Sequence, residues 1–270
     1  MEETVIINQL LLSVSGQSTY NWLGSKLKEA GNIATSWSKS LENTVKKFCI
    51  SANKSKKQNA TTKKVDSQLL IKLKNSKTIE GRDKARDYME AHAYSPNSKY
   101  PYWDSKGGNC ANYTSQVMSA GGIEQTDEWY MTNGNIIDEI KSHLWDKGKY
   151  NVSDGKKYTS SWSSASEQYK YFSNPTNGYI NGEVLNASNS NEVSNLVKNN
   201  NIQVGDLLYW DHNGNGVTHA TVISKVDKEN GKIYFSGNTD SRLDREVTNK
   251  NLADYKGGIY IVRIKDEYYQ

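Results

Sequence analysis

The stretch Gly107-Gly108-Asn109-Cys110-Ala111-Asn112-Tyr113-Thr114-Ser115-Gln116 sets a cysteine between a glycine turn and the first turn of a helix-patterned segment. Tyr113, Val117 and Ala120 recur on one helical face, and Gly121-Gly122 supplies a stop. Unpaired N–H groups and the macrodipole at a helix start favour negative charge. A cysteine there is therefore expected to have a depressed pKa and to act as a nucleophile. The plain alternative is a buried structural cysteine, which behaves as a small apolar residue.

Two later segments bear on that choice. Val204-Gly205-Asp206-Leu207-Leu208-Tyr209-Trp210 and His219-Ala220-Thr221-Val222-Ile223 read as strands joined by the Gly- and Asn-rich loop 211 to 218, so His219 opens a strand. Lys232 to Ser236 reads as a further strand ending in Gly237-Asn238-Thr239-Asp240. The order cysteine, histidine, then Asn or Asp is the one required by a thiol–imidazole pair with a third, orienting group. Cys110 is thus the candidate nucleophile, His219 the candidate base, and Asn238 or Asp240 the candidate orienter. The Cys110 backbone N–H, with Asn109 as a side-chain candidate, is expected to hold the oxyanion.

At these residues the chain resembles the bacterial "putative amidase domain" family of the papain-like superfamily, relatives of the NlpC/P60 and CHAP cell-wall hydrolases. The resemblance runs from about Gly81 to Ile264. It rests on Arg82 and the helix after it, Gly107 to Tyr113 with Ser115-Gln116 and Ala120-Gly121-Gly122, Ser160-Ser161-Trp162, Gly205-Asp206 with His219, and Ile259-Tyr260-Ile261-Val262-Arg263-Ile264. Two positions depart from the family pattern: Asn109 stands where an acidic residue is usual, and Asn238 where many members have histidine. The resemblance implies a papain-like α+β fold, hydrolysis of an amide bond without a cofactor, and peptidoglycan or another bacterial amide as substrate.

Helices first and strands afterwards also point to α+β architecture, a nucleophile helix packed on an antiparallel sheet. The expected division is an N-terminal helical extension over 1–52, a basic linker or short helix over 53–78, and the catalytic domain over 79–270. Residues 19 to 49 place Leu23, Leu27, Ala30, Ile33, Ala34, Trp37, Leu41, Val45 and Phe48 on a helical stripe that needs a partner, delivery machinery or its own domain to cover it. Residues 46 to 77 carry ten Lys and one Asp, against a net +4 for the whole chain, so the remainder is net acidic. That run reads as a solvated linker, because Asn53 to Lys64 is polar and lacks interleaved aromatics. No nucleic-acid fold signature accompanies it.

The 270 residues contain 35% hydrophobic residues, 18 Tyr and 7 Trp, with no apolar run long enough for a spanning helix. The acidic start Met1-Glu2-Glu3 does not resemble a secretory signal, so an extracellular or delivered location implies another export route. Of the two cysteines, pairing Cys49 with Cys110 would consume the nucleophile, and no disulfide is expected. Within the polar stretch 124 to 200, Trp129, Trp145, Trp162 and Tyr169 are candidates to line a substrate cleft, with Trp129 and Trp162 the substrate-binding candidates, although aromatics are more often core than cleft. Asp211-His212-Asn213-Gly214-Asn215-Gly216 resembles the start of a calcium loop, but Val222 stands at the twelfth position, so an Asn/Gly turn is the simpler reading. His212 and His219 lack a zinc-ligand signature, and no metal site is expected. Three functional classes follow: a wall-active amidase or endopeptidase, an injected effector or toxin using the same site on a protein, and a catalytically silent binding module.

Overall fold

In the computed structural model, residues 67–104, 108–132 and 150–270 are described, with side chains from residue 79 onward. Residues 66–270 form one compact unit. The stripe of residues 19 to 49, the Lys-rich run to Lys64, Cys49, His143 and Trp145 lie outside the described residues.

In chain order the elements are α1 (Ser67–His92), α2 (Cys110–Ala120), β1 (Asn151–Ser153), β2 (Lys156–Tyr158), α3 (Ser160–Ser163), α4 (Ala165–Ser173), β3 (Leu185–Ala187), α5 (Ser190–Asn199), β4 (Leu207–Asp211), β5 (His219–Asp227), β6 (Lys232–Gly237), β7 (Arg242–Glu246), α6 (Asn249–Leu252) and β8 (Gly258–Val262). The fold is α+β. β3 to β8 form one antiparallel sheet in the order β3-β8-β4-β5-β6-β7. Alternation along β4 explains its layering: Leu207 and Tyr209 face the core that contains α2, whereas Leu208 and Trp210 face the core built with Val193 and Val197 of α5. Burial on both faces is why Leu207–Asp211 reads as a continuous apolar run.

α1 runs unbroken across the 78/79 boundary drawn from the sequence, because nothing in Ser67–His92 breaks a helix except Gly81. Gly81 is tolerated for a packing reason: a Cβ there would sit 2.7 Å from Gly121 O and 2.5 Å from Gln270 N. The buried stripe Arg82, Ala85, Met89 and Ala93 follows the helical period. α2 differs from the one-faced helix read from its apolar residues, since Ala111 to Met118 are all buried. Its polar side chains are satisfied internally. Thr114 Oγ1 donates to Cys110 O at 2.8 Å, Ser115 Oγ to Trp162 O at 2.9 Å, and Gln116 Oε1 accepts from Tyr88 OH at 2.7 Å.

Arg82 ties α1 to the far end of the chain. Its guanidinium donates to Val204 O at 2.6 Å, Asp206 Oδ1 at 3.3 Å, Ile264 O at 2.9 Å and Asp266 Oδ1 at 2.8 Å, and lies 4.3 Å over the Tyr269 ring. Burial pushes the Asp206 carboxyl up to about 6, against the pull of Arg82 and the N–H groups of Gln203 and Ile264. This accounts physically for the Arg82 and Gly205-Asp206 blocks. Removing one partner of a buried pair strands the other charge. Arg82→Met should therefore cost on the order of 3–5 kcal/mol in urea unfolding followed by circular dichroism; a loss below about 1 kcal/mol would mean the guanidinium is dispensable.

Candidate active site

Cys110 is the first residue of α2 and carries a free, partly buried thiol. Asn109 occupies the N-cap position but its side chain does not cap the helix. Its Oδ1 accepts from Trp103 N at 3.3 Å and from Asn112 Nδ2 at 2.8 Å, while its Nδ2 donates to Asn238 Oδ1 at 2.7 Å. The first-turn N–H groups are therefore left for the sulfur. The N–H groups of Ala220, Ala111 and Cys110 all act on the Cys110 sulfur and favour its thiolate. Ala220 can do so because pairing of β5 with β6 begins only at Val222.

His219 opens β5, opposite Trp210 of β4, and its backbone adjoins the N–H that reaches Cys110. Burial lowers its pKa to about 4; Asp240 opposes this and Arg242 reinforces it. The same exclusion of water raises the Cys110 pKa, and outweighs the three N–H groups. Burial therefore works against the depressed thiol pKa expected from the helix start. Burial thus acts against charge on both groups and favours a neutral thiol and a neutral imidazole.

The two candidates for the third position are placed differently. Asp240 sits in the left-handed region at φ 57, with its carboxylate 3.6 Å from Arg242 Nη2, and its charge bears on His219. Asn238, 1% exposed, uses its amide elsewhere: Nδ2 donates to His92 O at 3.0 Å and Ala93 O at 3.2 Å, and Oδ1 accepts from Asn109. Thr239 Oγ1 accepts from Asn109 N at 2.8 Å. The β6–β7 turn thus grips the residue before Cys110.

Asn109, expected as an oxyanion donor, is 3% exposed and given over to this network. Trp129 and Trp162, expected in a cleft, are fully buried. Their rings pack 5.0 Å apart beneath α2; Trp162 Nε1 donates to Asn112 Oδ1 at 2.9 Å and Trp129 Nε1 to Ser115 Oγ at 3.0 Å. Both are corrected to core residues that brace the nucleophile helix, because indoles with a satisfied N–H are stable there. Asn112, Thr239 and Gln168, whose Nε2 donates to Ala111 O at 3.0 Å, are site-building residues that sequence reasoning missed. The spacing of Asn112 three residues after Asn109 was the available signal.

The calcium-like loop is explained by its own aspartate. Asp211 Oδ1 accepts from Asn213 N at 3.2 Å and Gly214 N at 2.7 Å, and Oδ2 from Gly216 N at 3.0 Å, which is an Asx-type turn. Among the described residues no three His, Cys, Asp or Glu side chains are grouped to hold a metal, and no helix is long and apolar enough to cross a membrane.

A family model described as "Putative amidase domain" matches residues 80–262, from within α1 to the end of β8. The chain belongs to that family of amide-hydrolase-like domains. It is also similar to YjcM of Bacillus subtilis (strain 168), described as an uncharacterized protein, with 24% identity over 181 residues, or 64% of this chain. The matched region spans 34% of that relative's length. No solved structure gives a significant match.

The neutral pair predicts a pH dependence. Between about pH 4 and 6.5 the unfolded chain protonates this histidine while the folded one does not, so His219 removes stability as pH falls through that window. Below about pH 4 both states are protonated and the loss is complete. His219→Gln should abolish this component, at most about 3 kcal/mol, when urea unfolding of the two proteins is compared across the window. The comparison cancels Asp206, whose raised pKa acts in the opposite sense. Iodoacetamide labelling of Cys110 should likewise rise with pH and show no acid plateau; a plateau below about pH 6 would establish a standing thiolate instead.

Proposed function

We propose that the chain is a cysteine-dependent amide hydrolase with a papain-like arrangement of its pair, and that its domain of residues 79–270 is the catalytic unit. What supports this reading is a free, partly buried thiol at the first position of α2, with the strand-opening His219 on β5, against which α2 packs, in a chain that belongs to a putative amidase family.

His219 takes the thiol proton as Cys110 Sγ attacks the amide carbonyl carbon, forming a C–S bond and placing charge on the carbonyl oxygen. Collapse of that intermediate breaks the C–N bond, and the imidazolium delivers its proton to the departing amine. Water, deprotonated by the same imidazole, then cleaves the thioester and regenerates the thiol. The neutral resting pair suits this sequence, since charge separates only when substrate arrives. The Cys110 N–H is the oxyanion donor, because helix-start N–H groups remain fixed as charge develops. Asp240 steadies the imidazolium, whereas Asn238 and Asn109 hold the nucleophile turn in place.

Peptidoglycan peptide is the substrate this reading favours, resting on resemblance to wall hydrolases. Incubation of the full chain with purified peptidoglycan and with a proteome digest, followed by mass spectrometry, tests it; loss of no amide bond relative to Cys110→Ala would refute hydrolysis. Cys110→Ala and His219→Ala should each abolish turnover, with the double variant no worse than either, because the pair acts as one unit. Asp240→Asn should lower kcat about 10- to 1,000-fold with the fold intact. Asn238→Ala should instead lower stability and activity together, since it leaves Asn109 Nδ2 without its buried acceptor.

A further inference from the structure

A cavity of about 350 Å³ opens between α4 and the 211–218 loop, lined in part by Ser166, Tyr169, Lys170, Asn213, Asn215 and Thr218. Each of its walls adjoins the candidate site. Thr218 immediately precedes His219. On the other wall, the Tyr169 ring packs on Tyr209, whose phenol lies close enough to Cys110 to feel its charge.

The groove is built rather than incidental. The three N–H bonds to Asp211 fix the loop that carries Asn213 and Asn215, and Thr218 N donates to Trp210 O at 2.9 Å. The Tyr169 ring, held edge-on against Tyr209 at 5.2 Å and 5.6 Å from Tyr260, gives an apolar surface. The amides of Asn213 and Asn215 stand on an exposed loop, whereas the Thr218 hydroxyl is engaged by Trp210 O and His212 N and that of Ser166 by Ser164 Oγ. Neutral donors and acceptors around an aromatic surface suit a peptide backbone and its side chains.

Among the described lining residues, Lys170 has the one basic side chain. It pairs at 2.7 Å with Glu167, one turn back on α4, but both side chains are widely exposed at 69% and 45%. Such a pair holds its partner weakly. Lys170 can therefore exchange Glu167 for a carboxylate on a substrate at little cost.

We propose that this groove is the substrate subsite flanking the scissile amide, and that it selects acidic peptides through Lys170. The assignment rests on the catalytic reading for its position but not for its binding. Acidic side chains or a free carboxylate beside the scissile amide are taken in preference to neutral ones, and basic ones are disfavoured.

The test separates binding from chemistry. The ¹⁵N-labelled full chain carrying Cys110→Ala, which cannot turn over, is titrated with an N-acetylated pentapeptide amide bearing two glutamates and with its two-lysine counterpart. The glutamyl peptide should shift the amides of residues 166–170 and 213–218 saturably, with a midpoint about fivefold lower than the lysyl peptide. Lys170→Met should erase the difference and Lys170→Glu should reverse it. Shifts outside these segments, equal midpoints for the two peptides, or an unchanged order in Lys170→Glu each overturn the proposal. If the glutamyl preference holds while the peptidoglycan and digest assays show no cleavage, the groove stands and the hydrolase reading falls.

Discussion

A single buried guanidinium holds this domain together. Arg82 reaches from the first helix to the start of β4, to the end of β8 and to the turn beyond it, so elements more than 180 residues apart meet at one charge. The cost of desolvating that charge is offset by four acceptors and the face of Tyr269. Tyr269 also donates through its hydroxyl to Gly205 O at 2.8 Å and packs over Gly121, where a Cβ would approach its ring to 2.7 Å. The C-terminal end of α2 is thereby pinned while its N-terminal end, bearing Cys110, is left to the β6–β7 turn.

That second attachment works through amides rather than charges. Trp162, Asn112, Asn109 and Asn238 form a chain of donors and acceptors that ends on the carbonyls of α1 and its exit. Asparagine suits each link because it offers a donor and an acceptor without the desolvation cost of a carboxylate. Asn109 thereby occupies a neutral, buried network. Gly108, at φ 104, lets the chain turn into that network with only 3.3 Å between a would-be Cβ and Thr239 Oγ1.

Much of this was legible from residue types in order. Helix, glycine stop, strand-opening histidine and antiparallel sheet all follow from local periodicity and turn chemistry, and the structure has them at Cys110, Gly121, His219 and β3 to β8. Roles set by burial were not legible. The sequence shows a cysteine at a helix start; only packing shows that the site is dry enough for desolvation to exceed the field of the helix. Trp129 and Trp162 failed for the same reason, since an aromatic in a polar stretch carries no mark of the side on which the chain will close. The bond between Asn238 and Asn109 was not legible because the two lie 129 residues apart.

The placement of the Arg82 acceptors has a consequence for the order in which the domain is made. α1 and α2 precede Ile264, Asp266 and Tyr269 in the chain, so the guanidinium cannot be satisfied until the residues beyond β8 are in place. A chain in which those residues are not yet docked holds Cys110 and His219 and has no lock on the helix that carries the thiol. Ordering of the candidate site is therefore coupled to docking of the segment that follows β8.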